Sequence, residues 1–387
     1  MSKVAVIEPL VVNVSPKTNW TFVAVTTDVG ETGWGECSLN RWEPLLVASV
    51  DMLSGDIAGC TLEAAFDAVR YIPHSPGGSA MHAAKSAVEQ ALTDILAQRA
   101  RRPVHELIGA AGRSAVPAYA NINRGSAMRS PEGFAAAARA ALAAGYRNIK
   151  IAPFDRVIAQ DAASTPIDAL VRAGLDRVYA VRDAIGSDRI LMVDCHWRFD
   201  EPRATTLMRD IASASPYWVE CPISEHPSEF AAIARLRHLA HERGMKLAGG
   251  EMIAGADQAA AMCAARLYDV LMPDVKYAGG YRGMLAIAKV CASHDVLFSP
   301  HNPTGPIAHI ASIQVCAAAP SLLWLEHQWA ETPLFDELIG GNAAPLVDGS
   351  FVVPRVPGLG AGLDRALALR LPYVQIPRSA NLDERLG

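Results

Sequence analysis

The chain has 387 residues, 51% hydrophobic and 19% charged, with a formal net charge of −5. This length and composition exclude a disordered polymer and make two globular domains the expectation. The acidic balance, the scattered Lys and Arg and the sparse aromatic residues argue against a nucleic-acid partner.

No apolar run approaches the roughly 18 residues of a membrane span, so no membrane partner is expected. The opening "MSKVAVIEPL" lacks the basic and then apolar pattern of a secretory signal. The cysteines at 37, 60, 195, 221, 263, 291 and 316 form no CxxC pair and are odd in number, which predicts buried free thiols and a cytoplasmic location.

Taken in chain order, "VAVIEPLVVNV" and "WTFVAVTTDVGETGWGEC" read as strands, the second folded into a hairpin around Asp28 and Gly30. From Ala80 the period changes: Ala84, Val88, Ala91, Ile95 and Leu96 share one helical face, and Pro103 lies beyond the helix end. After about residue 115 the chain alternates short apolar segments with Ala-rich amphipathic stretches such as "PEGFAAAARAALAAG". The apolar segments are "VPAYANIN", "NIKIAP", "ILMVDCHW", "YWVECP", "KLAGGE", "VLMPDV", "LFSPHN" and "LWLEHQ". Eight such units predict an α/β fold of the (β/α)8-barrel type, and the roughly 230 residues they span fit one barrel. An open doubly wound sheet is the alternative, but no GxGxxG follows the first strand.

Seven of these segments end on ionisable groups: Lys150, Asp194 with His196, Glu220, Glu251, Asp274, His301 and Glu326. The first supplies Asn121 and Asn123. One acid at a strand end can simply cap the following helix, but seven in register point to the C-terminal mouth of a barrel, where catalytic groups sit.

Asp194, Glu220 and Glu251 end strands three to five, and three carboxylates facing one cavity need a cation. An all-oxygen set suits Mg²⁺. Asp274 and His301 end neighbouring strands, so the carboxylate can fix the imidazole tautomer and leave its other nitrogen as a base. His196, two residues beyond Asp194, is expected on the same strand face. This set suits proton abstraction beside a metal-bound carboxylate, where the metal neutralises the developing enediolate. Hydrolysis by a metal-activated water is the rival, and it has no need of two separate imidazoles.

The chain resembles the enolase superfamily in its mandelate racemase-like subgroup, and most closely that subgroup's galactonate-type acid-sugar dehydratases. The resemblance runs through "AKSAVEQALTDILAQRARRPVHELIG", "PDVKYAGGYRG", "SPHNPTGPIAHIA", "WLEHQW" and "VDGSFVVPRVPGLGAGLD". It implies an α+β capping domain built from residues 1–115 and a C-terminal return over 346–387, around a barrel at 116–345. It also implies Mg²⁺ on Asp194, Glu220 and Glu251, with Glu225 as the reserve ligand because the interval from Glu220 to Glu251 is longer than the family's, a His301–Asp274 dyad, and Glu326 hydrogen-bonding the substrate carboxylate or enediolate. Lys150 would be an electrophilic lysine near that carboxylate, and His196 the general acid for a leaving β-hydroxyl.

Racemases of the subgroup carry Lys-x-Lys on the second strand. Here Lys150 is followed by Ile151 and Ala152, which favours one-sided abstraction and elimination. Trp20, Arg41 and Trp42 lie in stretches resembling the capping loops, and with Asn121, Arg124 and Arg198 they are candidates to touch substrate.

The expected function is therefore an Mg²⁺-dependent dehydratase of a sugar acid, aldonate or aldarate, giving a 2-keto-3-deoxy acid. The partner is a small-molecule carboxylate, and association into a homo-oligomer is expected. An epimerase, racemase or cycloisomerase working through the same enediolate is the second reading, and a non-catalytic ligand-binding barrel the third.

Overall fold

The computed structural model describes residues 2–71, 78–109, 112–126, 128–157 and 166–376. Alternating burial builds an antiparallel meander from β1 (Val4–Ser15), β2 (Thr18–Thr27) and β3 (Thr32–Glu36), in the order β1-β2-β3. Three helices cover it: α1 (Glu43–Ile57), α2 (Leu62–Tyr71) and α3 (Gly78–Arg99). Helix α3 is buried along most of its length, because it lies between this sheet and the rest of the molecule. Gly33 and Gly35 let β3 press onto it: a Cβ at either position would sit 2.0 Å from a backbone oxygen, of Ala91 or Ala87 respectively.

A short helix α4 (Val104–Ile108) leads into the barrel, whose strands one to eight are β4 (Ala115–Asn121), β5 (Asn148–Ile151), β6 (Ile190–Asp194), β7 (Trp218–Glu220), β8 (Lys246–Gly249), β9 (Val270–Leu271), β10 (Leu297–Phe298) and β11 (Leu325–Gln328). All neighbouring pairs from β4 to β10 are parallel, and β11 pairs with β4. The ring closes between β10 and β11, where Leu323 N donates to Phe298 O (2.8 Å) and Ser299 Oγ to Trp324 O (2.7 Å). Helices α5 (Pro131–Ala143), α6 (Ile167–Ile185), α7 (Glu201–Asp210), α8 (Phe230–Glu242), α9 (Ala256–Ala264), α10 (Gly280–Ser293), α11 (Pro306–Ala318) and α12 (Leu334–Glu337) alternate with the strands. Inside the ring, Tyr119, Met192, Trp218, Ala248, Val270 and Met272 form a fully buried floor beneath the mouth.

The hairpin of β12 (Leu346–Val347) and β13 (Ser350–Val352) pairs with β4, on the barrel rather than on the N-terminal sheet. The return to that sheet comes later: α13 (Arg365–Leu369) packs on β1, and Asn13 N donates to Leu371 O (3.0 Å). The last eleven residues of the expected return lie outside the described residues.

Carboxylates of the N-terminal domain satisfy backbone donors of the barrel. Glu36 accepts from Thr304 Oγ1 (2.7 Å), Gly305 N (2.8 Å) and Ala308 N (2.9 Å) at the start of α11. Glu89 accepts from Tyr281 N (2.8 Å) at the start of α10, and Asp94 from Leu359 N (2.8 Å). Each occupies donors that a helix start or loop leaves open, so the two domains are joined by buried polar contacts as well as apolar ones. Among the described residues no helix is long and apolar enough to cross a membrane.

Candidate active site

Parallel pairing puts all eight strand C-termini on one rim, and the ionisable side chains meet there. Lys150, at the end of β5, is 1% exposed and bridges two carboxylates: its Nζ lies 2.7 Å from Glu220 Oε1 and 2.9 Å from Glu326 Oε1. Burial would strip its proton, yet Glu220 and Glu326 more than offset that and hold its pKa well above the ordinary lysine value. The second oxygen of Glu220 accepts from Trp218 Nε1 (2.9 Å), so the aromatic floor orients this acid. Glu326 also accepts from Asn121 Nδ2 (2.7 Å) and from Asn302 N (3.0 Å). Asn121 is thus a partner of Glu326.

The expectation for His196 needs a correction. Strand β6 stops at Asp194, and His196 and Trp197 follow in left-handed conformation (φ 47° and 56°), so the period-two strand rule does not apply. The turn instead folds His196 back onto Asp194. Its N–H donates to Asp194 Oδ1 (2.9 Å) and its Nε2 lies 2.8 Å from Oδ2. Burial would raise the Asp194 pKa, but His196 and Lys150 outweigh it and hold this acid low.

His301 follows β10, its Nδ1 2.9 Å from Asp274 Oδ2 and its Nε2 turned to the mouth, 3.2 Å from Glu251 Oε2. Asp274 is gripped further by Lys276, whose N–H donates to Oδ1 (2.8 Å) and whose Nζ lies 2.6 Å from Oδ2. Burial pushes the Asp274 pKa up, but Lys276 and His301 together bring it below the usual value.

Glu251 is placed by Gly250, which follows β8 with φ 87°. Despite its closeness to His301, Glu251 Oε2 is off the line of a hydrogen bond and, among the described residues, buried without a hydrogen-bond partner. Burial first, then the Asp194 charge, pushes Glu251 up to about 8, and burial with Asp194, Glu326 and Glu251 raises Glu220 against the pull of Lys150.

Asp194, Glu220 and Glu251 therefore form a mutually repelling, buried set with one orphaned oxygen, which fits a hard divalent cation. Among the described residues no three acidic, His or Cys side chains already stand at ligand spacing; His196 pairs with Asp194 and Lys150 with Glu220. Glu225, the reserve ligand, is held by Gly250 N (2.6 Å) and by its burial beside Cys221.

The capping residues separate. Trp20 is buried in the seam between domains, edge-on to Phe22 and Phe335, because β2 places it beneath the barrel's last loops. Trp42 is exposed, Arg41 sits in a left-handed turn, and Arg198 is buried and engaged within the chain. Arg124 pairs with Glu331 at 3.4 Å. Burial raises the Cys195 and Cys221 thiols well above their ordinary range, which suits packing rather than reaction. Lys276, Trp218 and Asn302 were not expected. An Asp-x-Lys step at a strand end is the one signal that pointed to any of them.

Residues 133–367 match the family described as Enolase C-terminal domain-like, and residues 3–109 match Mandelate racemase / muconate lactonizing enzyme, N-terminal domain. The chain is 31% identical over 281 residues to a D-gluconate dehydratase of Thermoproteus tenax, covering 73% of this chain but 54% of that protein. It is 28% identical over 360 residues to a D-galactonate dehydratase of Xanthomonas oryzae pv. oryzae (strain PXO99A), covering 91% of this chain and 90% of that protein. Among solved structures, a mandelate racemase/muconate lactonizing enzyme from Sulfitobacter sp. superposes with a TM-score of 0.86 at 26% identity, covering 98% of each chain. A similar protein from Roseovarius sp. TM1035 gives 0.85 at 25% identity, with 97% of this chain and 96% of that one covered.

Proposed function

Because the chain belongs to the enolase superfamily, we propose that it is a hydro-lyase dehydrating a sugar acid, aldonate or aldarate, to a 2-keto-3-deoxy acid. The observation that carries this reading is the placement of two imidazoles on opposite walls. His196 follows strand three and His301 strand seven, four strands apart in a ring of eight, with the carboxylate cluster between them.

His301, its Nδ1 held by Asp274, takes the C2 proton on Nε2. Lys150 and the hydrogen-bonded Glu326 face the charge that develops on the substrate carboxylate. His196 gives a proton to the 3-hydroxyl as the C3–O bond breaks, water leaves, and the enol tautomerises to the keto acid. Asp194, Glu220 and Glu251 would hold Mg²⁺, which when bound supplies a fixed positive charge beside that carboxylate. Position 152, where a racemase of this type places a second base, is a buried alanine, which disfavours two-sided proton transfer.

The test is keto-acid formation from a panel of mono- and diacid sugars with Mg²⁺ in D₂O, abolished by chelation and restored by Mg²⁺. His301→Asn should abolish both C2 exchange and turnover. His196→Asn should block dehydration while C2 exchange persists, and full dehydration by His196→Asn refutes its role.

A further inference from the structure

Strands β11 and β4 are parallel neighbours, so the loops that leave them lie side by side at the rim, joined where Trp329 N donates to Asn121 O (3.1 Å). Three residues beyond each strand stand Glu331 and Arg124. The Glu331 side chain is 8% exposed, with Oε2 3.4 Å from Arg124 Nη1. Its Oε1 accepts from Thr18 Oγ1 at 2.5 Å, from the start of β2, where the N-terminal domain reaches the rim. Asn121, three residues before Arg124, donates to Glu326 (2.7 Å), so the pair stands in the rim loops just beyond the strand ends that carry the site.

Three further guanidiniums are engaged within the chain as well. Arg129 binds both oxygens of Asp155 as well as Asn123 and Ala152 O, and Arg41 and Arg198 are engaged within the chain. Lys150 serves Glu220 and Glu326. A substrate held at its reactive carboxylate end would extend its far end toward this rim, where an Arg124–Glu331 pair of zero net charge has its acid fixed by Thr18. Hydroxyl groups can donate to and accept from such a pair. A second carboxylate would have to displace Glu331 from Arg124 while being repelled by it.

We propose that Glu331 is a specificity-determining residue that makes the mouth select a polyhydroxy monocarboxylate, an aldonate, over the corresponding dicarboxylate, an aldarate. It does so by occupying Arg124 and holding a negative charge at the far end of the substrate. This rests on the sugar-acid reading and narrows it.

The experiment is calorimetric binding in Mg²⁺, in a His301→Asn background that prevents turnover, of two pairs: D-gluconate with D-glucarate, and D-galactonate with galactarate. For at least one pair the monoacid should bind about tenfold or more tightly than the diacid. Glu331→Gln should shrink that preference about tenfold, chiefly by tightening the diacid, and Thr18→Val should move it the same way by less. Equal binding of mono- and diacid, no binding of either pair, or an equal loss for both acids in both variants overturns the proposal. If the preference behaves as stated while the unsubstituted enzyme forms no keto acid, the selectivity stands and the dehydratase reading falls.

Discussion

Glu89 offers a quantitative handle on how the two domains hold together. It projects from α3 into the barrel, where its oxygens accept Tyr281 N at 2.8 Å and, more weakly, Arg282 N at 3.4 Å. Burial outweighs these contacts and raises its pKa from 4.5 to about 7. The folded protein thus holds this proton more tightly than the unfolded chain does. The associated stability is complete below pH 4.5, declines as the pH rises through that window and is lost above 7, amounting to about 3 kcal/mol.

Glu89→Gln is neutral at every pH. It keeps an acceptor for Tyr281 N and gives up the second one, at a cost of ~1 kcal/mol. Urea unfolding followed by circular dichroism should therefore show the variant about 1 kcal/mol less stable than the parent at pH 4.5 and about 2 kcal/mol more stable at pH 8. The difference between the two proteins cancels every other titrating group. A variant destabilised by the same amount at both pH values would refute the account of Glu89 as a carboxyl protonated in the folded state.

Lys150→Met leaves Glu220 and Glu326, both fully buried, without their shared cation. A loss of about 3–5 kcal/mol in urea unfolding is expected, with kcat down about 10²–10³-fold, and a change in kcat below threefold would contradict its place at the developing charge. Gly35→Ala would put a Cβ 2.0 Å from the Ala87 oxygen, so β3 and α3 must separate. This should cost ~1–3 kcal/mol of stability, and an unchanged urea midpoint would show that the contact is looser than described.

The barrel and its rim were legible because each strand repeats one pattern, a few apolar residues followed by a group that has no reason to be in a wall. Parallel pairing then brings Lys150, Asp194, Glu220, Glu251, Asp274, His301 and Glu326 together whatever the loops do. The rest depended on partners far away in the chain. Glu331 in "QWAETP" has the look of an ordinary loop acid until Thr18 arrives from 313 residues earlier, and Glu89 looks like a helix-surface acid until α10 arrives from 192 residues later. Lys276 would pass as a solvated lysine but is buried beside Asp274. His196 shows a different limit: periodicity describes a strand only while the strand lasts, and here it ends two residues too soon.

The filled floor has a consequence for traffic. Tyr119, Trp218 and their neighbours close the barrel directly beneath Lys150 and Glu220, so these side chains can be approached only from the rim. Whatever binds deepest has to enter first and leave last. The kinetic signature is an ordered sequence of arrival and departure, in which the later ligand traps the earlier one and slows its exchange.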